Sequence, residues 1–381
     1  MQIDLNEEQR LLADSLARFV AERYAFDRRQ KIAATPQGFS EEDWRSFAEL
    51  GWLGLPLPES VGGLGMGPKE VALVMEAFGR GLVMSPYWAT VLLGAGAVAE
   101  AGTAGQREAI LPAVIEGRMK LSLAYAEGPR HAPAAVATRA ESDGTGFRLS
   151  GVKIGVPYGA AADKVVVSAR TAGGLRDREG VSLFLVDRDA KGVDLSDHPT
   201  HDGGRAATLR LDGVSVGPDG LVGPRDGGLA ILEAVLDRAA AALCAEAAGI
   251  VAAVYEKTLG YFKTREQFGR LIGSFQALQH RLADVYLKAE LARSAALDAA
   301  EAAMRTDPTA RAAGVSAAKH LIGNLGREVG KEGVQLHGGI GMTWDYEAGH
   351  YLKRLMLIDL ACGDSHFHLD RYRRLTMAGA A

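Results

Sequence analysis

The chain has 381 residues, of which 48% are hydrophobic and 24% charged, and its formal net charge is −4 at pH 7. This length exceeds what one hydrophobic core usually supports, and the near-neutral charge gives no electrostatic reason to expect nucleic-acid binding. The only two cysteines, Cys244 and Cys362, lie far apart, so the sequence predicts neither a disulfide framework nor a metal site. The N-terminus lacks a signal segment and no apolar run could span a bilayer, so we expect a cytoplasmic protein without membrane insertion.

Residues 1–120 have the pattern of a helical domain. Asn6 precedes Glu7 and Glu8, and Ser40 precedes another acidic run, which is typical of helix N-caps. Further helices are predicted over residues 69–81, 89–101 and 106–116. A Pro- and Gly-rich segment at residues 54–67 indicates a loop.

The composition changes over residues 121–224, where short β-branched runs alternate with Gly and Asp clusters. Four strands are predicted, over residues 146–150, 164–169, 181–186 and 207–216. No helix-length segment separates these runs, which favours an antiparallel sandwich or barrel over a parallel α/β sheet and argues against a Rossmann domain.

Helical periodicity returns over residues 225–381. Long helices are predicted at residues 229–263, 265–305 and 309–335, with a fourth after Tyr351, and short loops join them. This arrangement predicts a C-terminal four-helix bundle. The fold class is therefore α+β, with an N-terminal helical domain, a middle antiparallel β domain and the C-terminal bundle.

The stretch REQFGRLIGSFQALQHRLAD, residues 265–284, combines an apolar stripe with polar residues at its start. Phe275, Leu278, Leu282 and Val285 recur at helical spacing. An Arg and Gln residues near a helix start suit an anionic ligand such as a pyrophosphate. An ordinary amphipathic helix with charged ends explains the same pattern, and periodicity alone does not decide between these interpretations.

The order of these domains, together with several motifs, resembles the acyl-CoA dehydrogenase family. The motifs are the 265–284 stretch, QLHGGIGMT at residues 335–343, ELGW at 49–52, PESVGGLGMG at 58–67 and GTAGQREAILP at 102–112. The resemblance covers essentially the whole chain. It implies the acyl-CoA dehydrogenase fold and FAD bound between the subunits of a dimer or tetramer.

The resemblance also implies which residues bind FAD. They are Arg265, Gln267, Phe268, Gln276, Gln335, Gly338, Gly339, Asp364 and His366. Arg265, Phe268 and Gln276 would approach the ADP portion from a neighbouring subunit, where an Arg offers a planar donor fork to phosphate oxygens. The two glycines would let backbone N–H groups come close to the pyrophosphate.

The implied reaction is α,β-dehydrogenation of an acyl-CoA thioester, in which a carboxylate removes the α-proton and the β-hydride passes to the flavin. The usual Glu falls on Cys362, which is interpreted as a small packing residue or a thiol base. In other members the base precedes the Arg motif, and that place is Ala239. Asp237 and Asp364 are therefore the remaining candidates, with a solvated or capping role as the alternative for both.

The β domain also departs from the family pattern. The usual Thr-Glu-Pro segment appears as Ala126, Glu127 and Gly128, and the usual Trp beside the flavin ring is replaced by Gly155. The sequence thus keeps the residues for the ADP portion of FAD and loses those for the flavin ring and the base.

This pattern is similar to small subunits of the pimeloyl-CoA dehydrogenase type, on CAEA at residues 244–247, QLHGGIGMT, and HYLKRLMLID at residues 350–359. The resemblance implies a large acyl-CoA dehydrogenase subunit as partner, an acyl-CoA substrate, and electron-transferring flavoprotein as acceptor. The substrate would derive from a dicarboxylic acid, an aromatic acid or a steroid side chain. A flavin-dependent oxidase or monooxygenase and a non-catalytic scaffold subunit are the alternatives.

Overall fold

A computed structural model describes residues 5–377 of the chain. The described residues form two compact units. One unit contains residues 5–31, Pro68–Val83 and residues 240–377, and the other contains Ile32–Gly67 and Met84–Ala239. The domain boundaries that we expect at residues 120 and 224 stay a prediction.

The first third of the described chain is helical, as predicted. Both predicted N-caps are present, because the side chains of Asn6 and Ser40 accept hydrogen bonds from the backbone N–H groups of Gln9 and Asp43. A short π-helix, Trp88–Gly94, runs directly into the fifth helix. The helices are α1 (Glu7–Arg23), α2 (Phe26–Ala33), α3 (Glu41–Glu49), α4 (Pro68–Gly81), α5 (Ala95–Ala101) and α6 (Ala104–Ile115).

An eight-stranded sheet follows. All four predicted strands are present, and four more are found that the sequence pattern did not indicate. The strands are β1 (Leu121–Ala124), β2 (Arg139–Ser142), β3 (Phe147–Pro157), β4 (Lys164–Arg170), β5 (Val181–Asp187), β6 (Val193–Pro199), β7 (Arg205–Val216) and β8 (Leu221–Val222).

The strands pair in the order β6-β7-β3-β2-β4-β5-β8, and β1 pairs with β4. Most neighbours are antiparallel, as predicted, while β1 runs parallel to β4 along its whole length and β2 meets β4 in parallel at one residue pair. Leu149, Val167, Phe184 and Leu209 are buried together and belong to the core of the sheet. The alternation of apolar with polar residues along a strand fixes which face is inside.

The C-terminal region is a helical bundle, as predicted, and its fourth helix consists of two shorter ones. Its helices are α7 (Gly228–Thr264), α8 (Gln276–Ala303), α9 (Pro308–His337), α10 (Ala348–Leu360) and α11 (Ser365–Met377). Within residues 5–377, none of the helices has the length and apolar composition needed to cross a membrane.

The prediction that a helix begins at Arg265 is wrong. Residues 265–272 form a hairpin, with β9 (Glu266–Gln267) antiparallel to β10 (Arg270–Leu271), and α8 starts only at Gln276. Phe268 and Gly269 make the two-residue turn and both have positive φ, +55° and +74°. Two-residue hairpin turns of this kind require positive φ at both central positions, which a helix cannot accommodate.

Helices α4 and α7 cross at two glycines in the same compact unit. A Cβ atom at Gly249 of α7 would lie 2.1 Å from the Glu76 carbonyl oxygen, and one at Gly79 of α4 would lie 2.0 Å from that of Glu246. Both neighbours are backbone atoms that cannot move aside alone. The two helices therefore approach to a distance that only glycine permits.

We expect Gly249→Ala to lower the free energy of unfolding by about 1–3 kcal/mol, as overpacking commonly does. Gly260→Ala is the matched control, because Gly260 lies in the same helix and a Cβ added there would meet no atom within 4 Å. That change should stabilise the chain by up to about 1 kcal/mol through helix propensity. Urea denaturation measures both, and equal effects of the two substitutions would contradict the close crossing.

Candidate active site

The 265–272 hairpin presents several of the predicted FAD-binding residues to solvent. Arg265, Gln267 and Gln276 are all exposed, and Phe268 at the turn is 91% exposed. Among the described residues, the Arg265 guanidinium and the Gln276 amide have no hydrogen-bond or ion-pair partner, while the Gln267 amide donates to the Glu266 carbonyl. An unpaired Arg beside a protruding aromatic ring is typical of a surface that contacts another molecule.

The turn Gly338–Met342, which we call the glycine turn, follows the end of α9. Gly338 has φ +65° and ψ −143°, a conformation that essentially only glycine adopts. No atom of the described chain lies within 4 Å of a Cβ added at Gly338 or Gly339, and both residues and Gln335 are exposed. The Gly338 N–H donates to the Gln335 carbonyl, so Gly338 offers open space and not a free donor to a pyrophosphate.

Aromatic contacts join the hairpin to the glycine turn. His337, directly before Gly338, packs against Tyr261 with ring centroids 4.8 Å apart and against Tyr346 at 5.0 Å. The Tyr261 carbonyl in turn accepts a hydrogen bond from the backbone N–H of Arg265. The structure therefore brings these two groups of predicted residues to the same end of one compact unit.

Asp364 and His366 lie where α10 gives way to α11. The Asp364 carboxylate accepts a hydrogen bond from the backbone N–H of Phe367 at 2.8 Å, so it caps α11. His366 is exposed at the first turn of that helix. Capping is the alternative role that the sequence left open for Asp364.

Cys362 lies in the same turn, residues 361–364, and is only 3% exposed. Its φ is +57° and that of Gly363 is +105°, so two consecutive residues with positive φ end α10 abruptly. The Cys362 carbonyl accepts a hydrogen bond from His368 Nε2 at 3.1 Å. The contacts of its backbone and the burial of its side chain suit a packing residue.

A buried lysine that the sequence analysis did not single out holds this turn. Lys319 Nζ of α9 donates to the carbonyls of Ile358, Asp359 and Gly363 at 2.7, 2.9 and 3.0 Å. Burial lowers the pKa of Lys319, and nearby groups, first of all Cys244 and Cys362, act to raise it. Lys319 lies four residues after Val315 and three before Ile322, both buried, so helical spacing could have predicted that its side chain points inward.

The second place for a base, in α7, also lacks an ionisable group. Ala239 and Ala240 are buried. Asp237 is 3% exposed, two residues away along the helix. Residues two apart on a helix do not face the same direction, so Asp237 points elsewhere than Ala239 does.

Glu127, at the place of the usual Thr-Glu-Pro segment, forms a buried ion pair. Its carboxylate lies 2.6 Å from Lys153 Nζ and accepts hydrogen bonds from the backbone N–H groups of Ala137 and Thr138. Lys153, which is fully buried, also donates to Ser168 Oγ at 3.0 Å. The ion pair therefore connects the segment after Glu127 to β3. Lys153 has the same parity along β3 as the buried residues Phe147 and Leu149, so strand alternation could have predicted that its side chain points inward.

The pair changes the pKa of both groups. Burial lowers the pKa of Lys153 to about 8, although Glu127 acts to raise it. Burial acts to raise the pKa of Glu127, but the charge of Lys153 and hydrogen bonds from Lys153 and Thr138 bring it below its ordinary value. The carboxylate is therefore ionised at neutral pH and is not poised to take a proton.

Gly155 occupies the place of the usual Trp. Its φ is +62°, and it lies between Lys153 and Val156, where the register of β3 against β7 shifts. A Cβ at Gly155 would meet no atom within 4 Å. The local backbone thus favours glycine here for a conformational reason.

We expect Glu127→Gln to destabilise the chain by about 3–5 kcal/mol at pH 7, because it leaves the Lys153 ammonium buried without its counter-charge. A lowered carboxyl pKa contributes stability that is present above the ordinary pKa and is lost as pH falls through the folded-state value. The gap between wild type and variant should therefore narrow below about pH 4. Chemical denaturation at pH values from 3 to 7 measures the free energy of unfolding of both proteins, and Glu141→Gln, at an exposed position, is the control. A difference in stability that does not change with pH would contradict the ion pair.

Comparison with known proteins agrees with these features along the whole chain. The family models for the N-terminal, middle and C-terminal domains of acyl-CoA dehydrogenases match residues 6–118, 127–214 and 226–375. The acyl-CoA dehydrogenase FadE27 of Mycobacterium tuberculosis is 30% identical over 359 residues, which cover 91% of each chain.

Two solved structures are also similar. The structure of a variant of the Tcur3481–Tcur3483 steroid ACAD has a TM-score of 0.89 and 34% identity, covering 98% of this chain and 99% of the other. That of the ChsE4–ChsE5 complex from Mycobacterium tuberculosis has a TM-score of 0.87 and 28% identity, covering 99% of both chains. The chain therefore belongs to the acyl-CoA dehydrogenase family, FAD-dependent oxidoreductases that act on the CH–CH group of acyl-CoA thioesters.

Proposed function

We propose that this chain is the small subunit of a heteromeric acyl-CoA dehydrogenase, in which a large subunit supplies the catalytic base. The observation that carries the proposal is that neither place for the base holds a carboxylate. Cys362 is buried in a turn and Ala239 is buried in α7. A carboxylate is the base that this α-proton removal uses in the family, and a buried cysteine side chain supplies none.

The two remaining carboxylates support the same conclusion. The Asp364 carboxylate is engaged as the cap of α11. Asp237 lies on a different face of α7 from Ala239. Neither has the free, directed carboxylate that proton removal requires.

For FAD, we infer that the chain contributes the two groups of exposed residues at one end of the bundle. The Arg265 guanidinium has two parallel N–H groups that match phosphate oxygens, and Gln276 supplies a further donor. The Gly338 N–H donates to the Gln335 carbonyl, so the Gly339 N–H would be the donor to the pyrophosphate, and Gln335 borders that surface. Asp364 and His366 flank Ser365, which contacts His320 near the middle of α9, so they would contact another part of the cofactor. Phe268 and Gln267 at the hairpin would contact a neighbouring chain. Bound FAD supplies the hydride acceptor.

The names of the relatives support a proposal for the partner and the substrate. The two solved structures described above are named as pairs of different proteins, and one is named as a steroid ACAD. We propose a large acyl-CoA dehydrogenase subunit as the partner, a CoA thioester of a steroid side chain as the substrate class, and electron-transferring flavoprotein as the acceptor. The pimeloyl-CoA dehydrogenase type of small subunit stays a prediction, as does a cytoplasmic location.

Arg265→Ala should weaken FAD binding by about tenfold or more, because a charge-assisted hydrogen bond contributes about 1.5–3 kcal/mol. Arg265→Lys should retain part of the affinity, since it keeps the charge without the planar fork. Arg293→Ala is the control, because Arg293 pairs with Glu290 of its own helix. Fluorescence titration of the flavin-free complex with FAD measures the affinity of each of the three variants. An unchanged affinity in Arg265→Ala would show that Arg265 does not bind FAD.

The subunit assignment is tested by purifying this chain alone and together with the acyl-CoA dehydrogenase chain encoded beside it. Flavin content and acyl-CoA-dependent dye reduction should be high only for the pair. Replacing the partner's catalytic Glu by Gln should abolish dye reduction and leave the flavin content unchanged, because the base removes the substrate proton and does not hold FAD. Full activity from this chain alone would refute the heteromer.

The same assay separates the two alternatives. An oxidase or monooxygenase, which the open space beside Gly155 would favour by admitting oxygen, forms hydrogen peroxide or a hydroxylated product with each turnover. A scaffold subunit that binds no flavin remains colourless after FAD is added, and the exposed Arg265 and glycine turn argue against it.

A further inference from the structure

An exposed apolar patch forms the last part of the glycine turn and the segment directly after it. Ile340, Met342 and Trp344 are 44%, 78% and 63% exposed, although large apolar side chains are mostly buried in folded proteins. They lie within one five-residue segment, and the Lys353 ammonium lies over the ring of Trp344. We call these four residues the Trp344 patch. Exposed apolar side chains grouped in this way typically mark a surface that contacts another molecule.

Trp344 is exposed but held in one position. Its carbonyl oxygen accepts hydrogen bonds from His350 Nε2 at 2.9 Å and from the Gln30 side-chain amide at 3.3 Å. Its ring packs edge-on against the buried His350 ring, with centroids 4.8 Å apart, and His350 Nδ1 lies 3.2 Å from the Arg29 guanidinium. All of these residues belong to the same compact unit. A side chain that is already ordered loses little conformational entropy when another molecule covers it.

The patch also presents two hydrogen-bond donors that lack acceptors. The Lys353 ammonium lies 4.1 Å from the centroid of the Trp344 ring, in a cation–π contact. Within the described part of the chain, no carboxylate lies within ion-pair distance of Lys353, and the indole N–H of Trp344 has no acceptor. Burial and the charge of Arg29 lower the pKa of Lys353, and no acidic group acts to raise it. A carboxylate placed here would therefore meet an uncompensated positive charge.

These properties favour one kind of occupant. At a twofold contact between two copies of this chain the patch would meet its own image, and the Lys353 ammonium groups would approach each other. A different chain avoids this repulsion if it offers an apolar pocket for the Trp344 ring and a carboxylate for Lys353. Fixed, exposed tryptophans are typical of the few residues that contribute most of the binding energy at protein interfaces.

We propose that the Trp344 patch is a docking surface for the large subunit, which covers Trp344 and Met342 with an apolar pocket and places a carboxylate against Lys353. This inference rests on the heteromer proposed above. It assigns the contact to a surface that none of the family-derived site residues forms.

Oxidation by dilute hydrogen peroxide, read by mass spectrometry, tests the surface in the wild-type protein. Met342 and Met304, which follows α8 and is 55% exposed, should both be oxidised in the isolated chain. In the flavin-free complex with the acyl-CoA dehydrogenase chain encoded beside it, Met342 should lose its reactivity while Met304 keeps its own. Met342 that reacts equally fast in the complex would overturn the docking surface. Protection of Met342 in the isolated chain, by FAD alone or by raising the chain concentration, would assign the patch to the cofactor or to a second copy instead.

Substitutions test the energy of the contact. Trp344→Ala should weaken association with the large subunit by at least about 30-fold, as loss of a central interface residue does. Lys353→Gln leaves the tryptophan in place, so it tests the charge even if Trp344→Ala alters the local fold. It should weaken association by a smaller factor and reduce the dependence of the association rate on salt. Met304→Ala and Lys191→Gln, both at exposed positions elsewhere, are the matched controls and should follow the wild type.

Analytical ultracentrifugation and stopped-flow mixing of the flavin-free chains measure these affinities and rates. If the wild-type chains do not associate, the heteromer is refuted and the docking surface with it. If they associate and both Trp344→Ala and Lys353→Gln leave the affinity and its salt dependence unchanged, only the docking surface is overturned. Neither flavin nor substrate is present in these measurements, so failure of the proposed FAD placement does not affect them.

Discussion

The Lys319 ammonium, buried among three backbone carbonyls, is the interaction on which the junction of α10 and α11 depends. Helix α10 stops within one residue, and α11 begins after a tight turn and packs on the preceding part of α9. Stopping a helix leaves carbonyl oxygens without partners. Most helices meet this need with water or a single capping residue. Here the ammonium group of Lys319, on the neighbouring helix α9, donates to these carbonyl oxygens. The lysine is fully buried, and the turn contains two residues with positive φ.

Because main-chain contacts set the shape of that turn, the side chain at position 362 contributes little to it. The carbonyls of Cys362 and Gly363 are held by His368 and Lys319, and Asp364 caps α11. The Cys362 side chain is 3% exposed. If the family's base falls at this position, as the resemblance implies, the carboxylate can be lost without loss of the fold.

The sequence predicted the architecture well where patterns are local. Asn6 and Ser40 mark helix starts by their own side chains, and the strongly apolar strands were recognisable by composition. The prediction from sequence was wrong or incomplete where contacts between distant residues determine the local structure. Strand β6 is mostly polar and exposed, and the 265–272 hairpin depends on a Phe at positive φ, which no propensity favours. For the site, motif resemblance predicted exposed residues for FAD, which stay a prediction. It gave no indication of the buried residues Lys153, Lys319 and His337, whose contacts include residues distant in sequence.

The exposed Phe268 has a consequence for how the protein handles its cofactor. A ring that is 91% exposed on a two-residue turn gains its burial only from another chain. Under the proposed arrangement, the chain that covers this ring also closes the ADP end of FAD, so flavin retention and subunit association are a single linked equilibrium. Dilution would then release flavin and separate the subunits together, and excess FAD would hold the assembly intact at concentrations where the apoprotein falls apart.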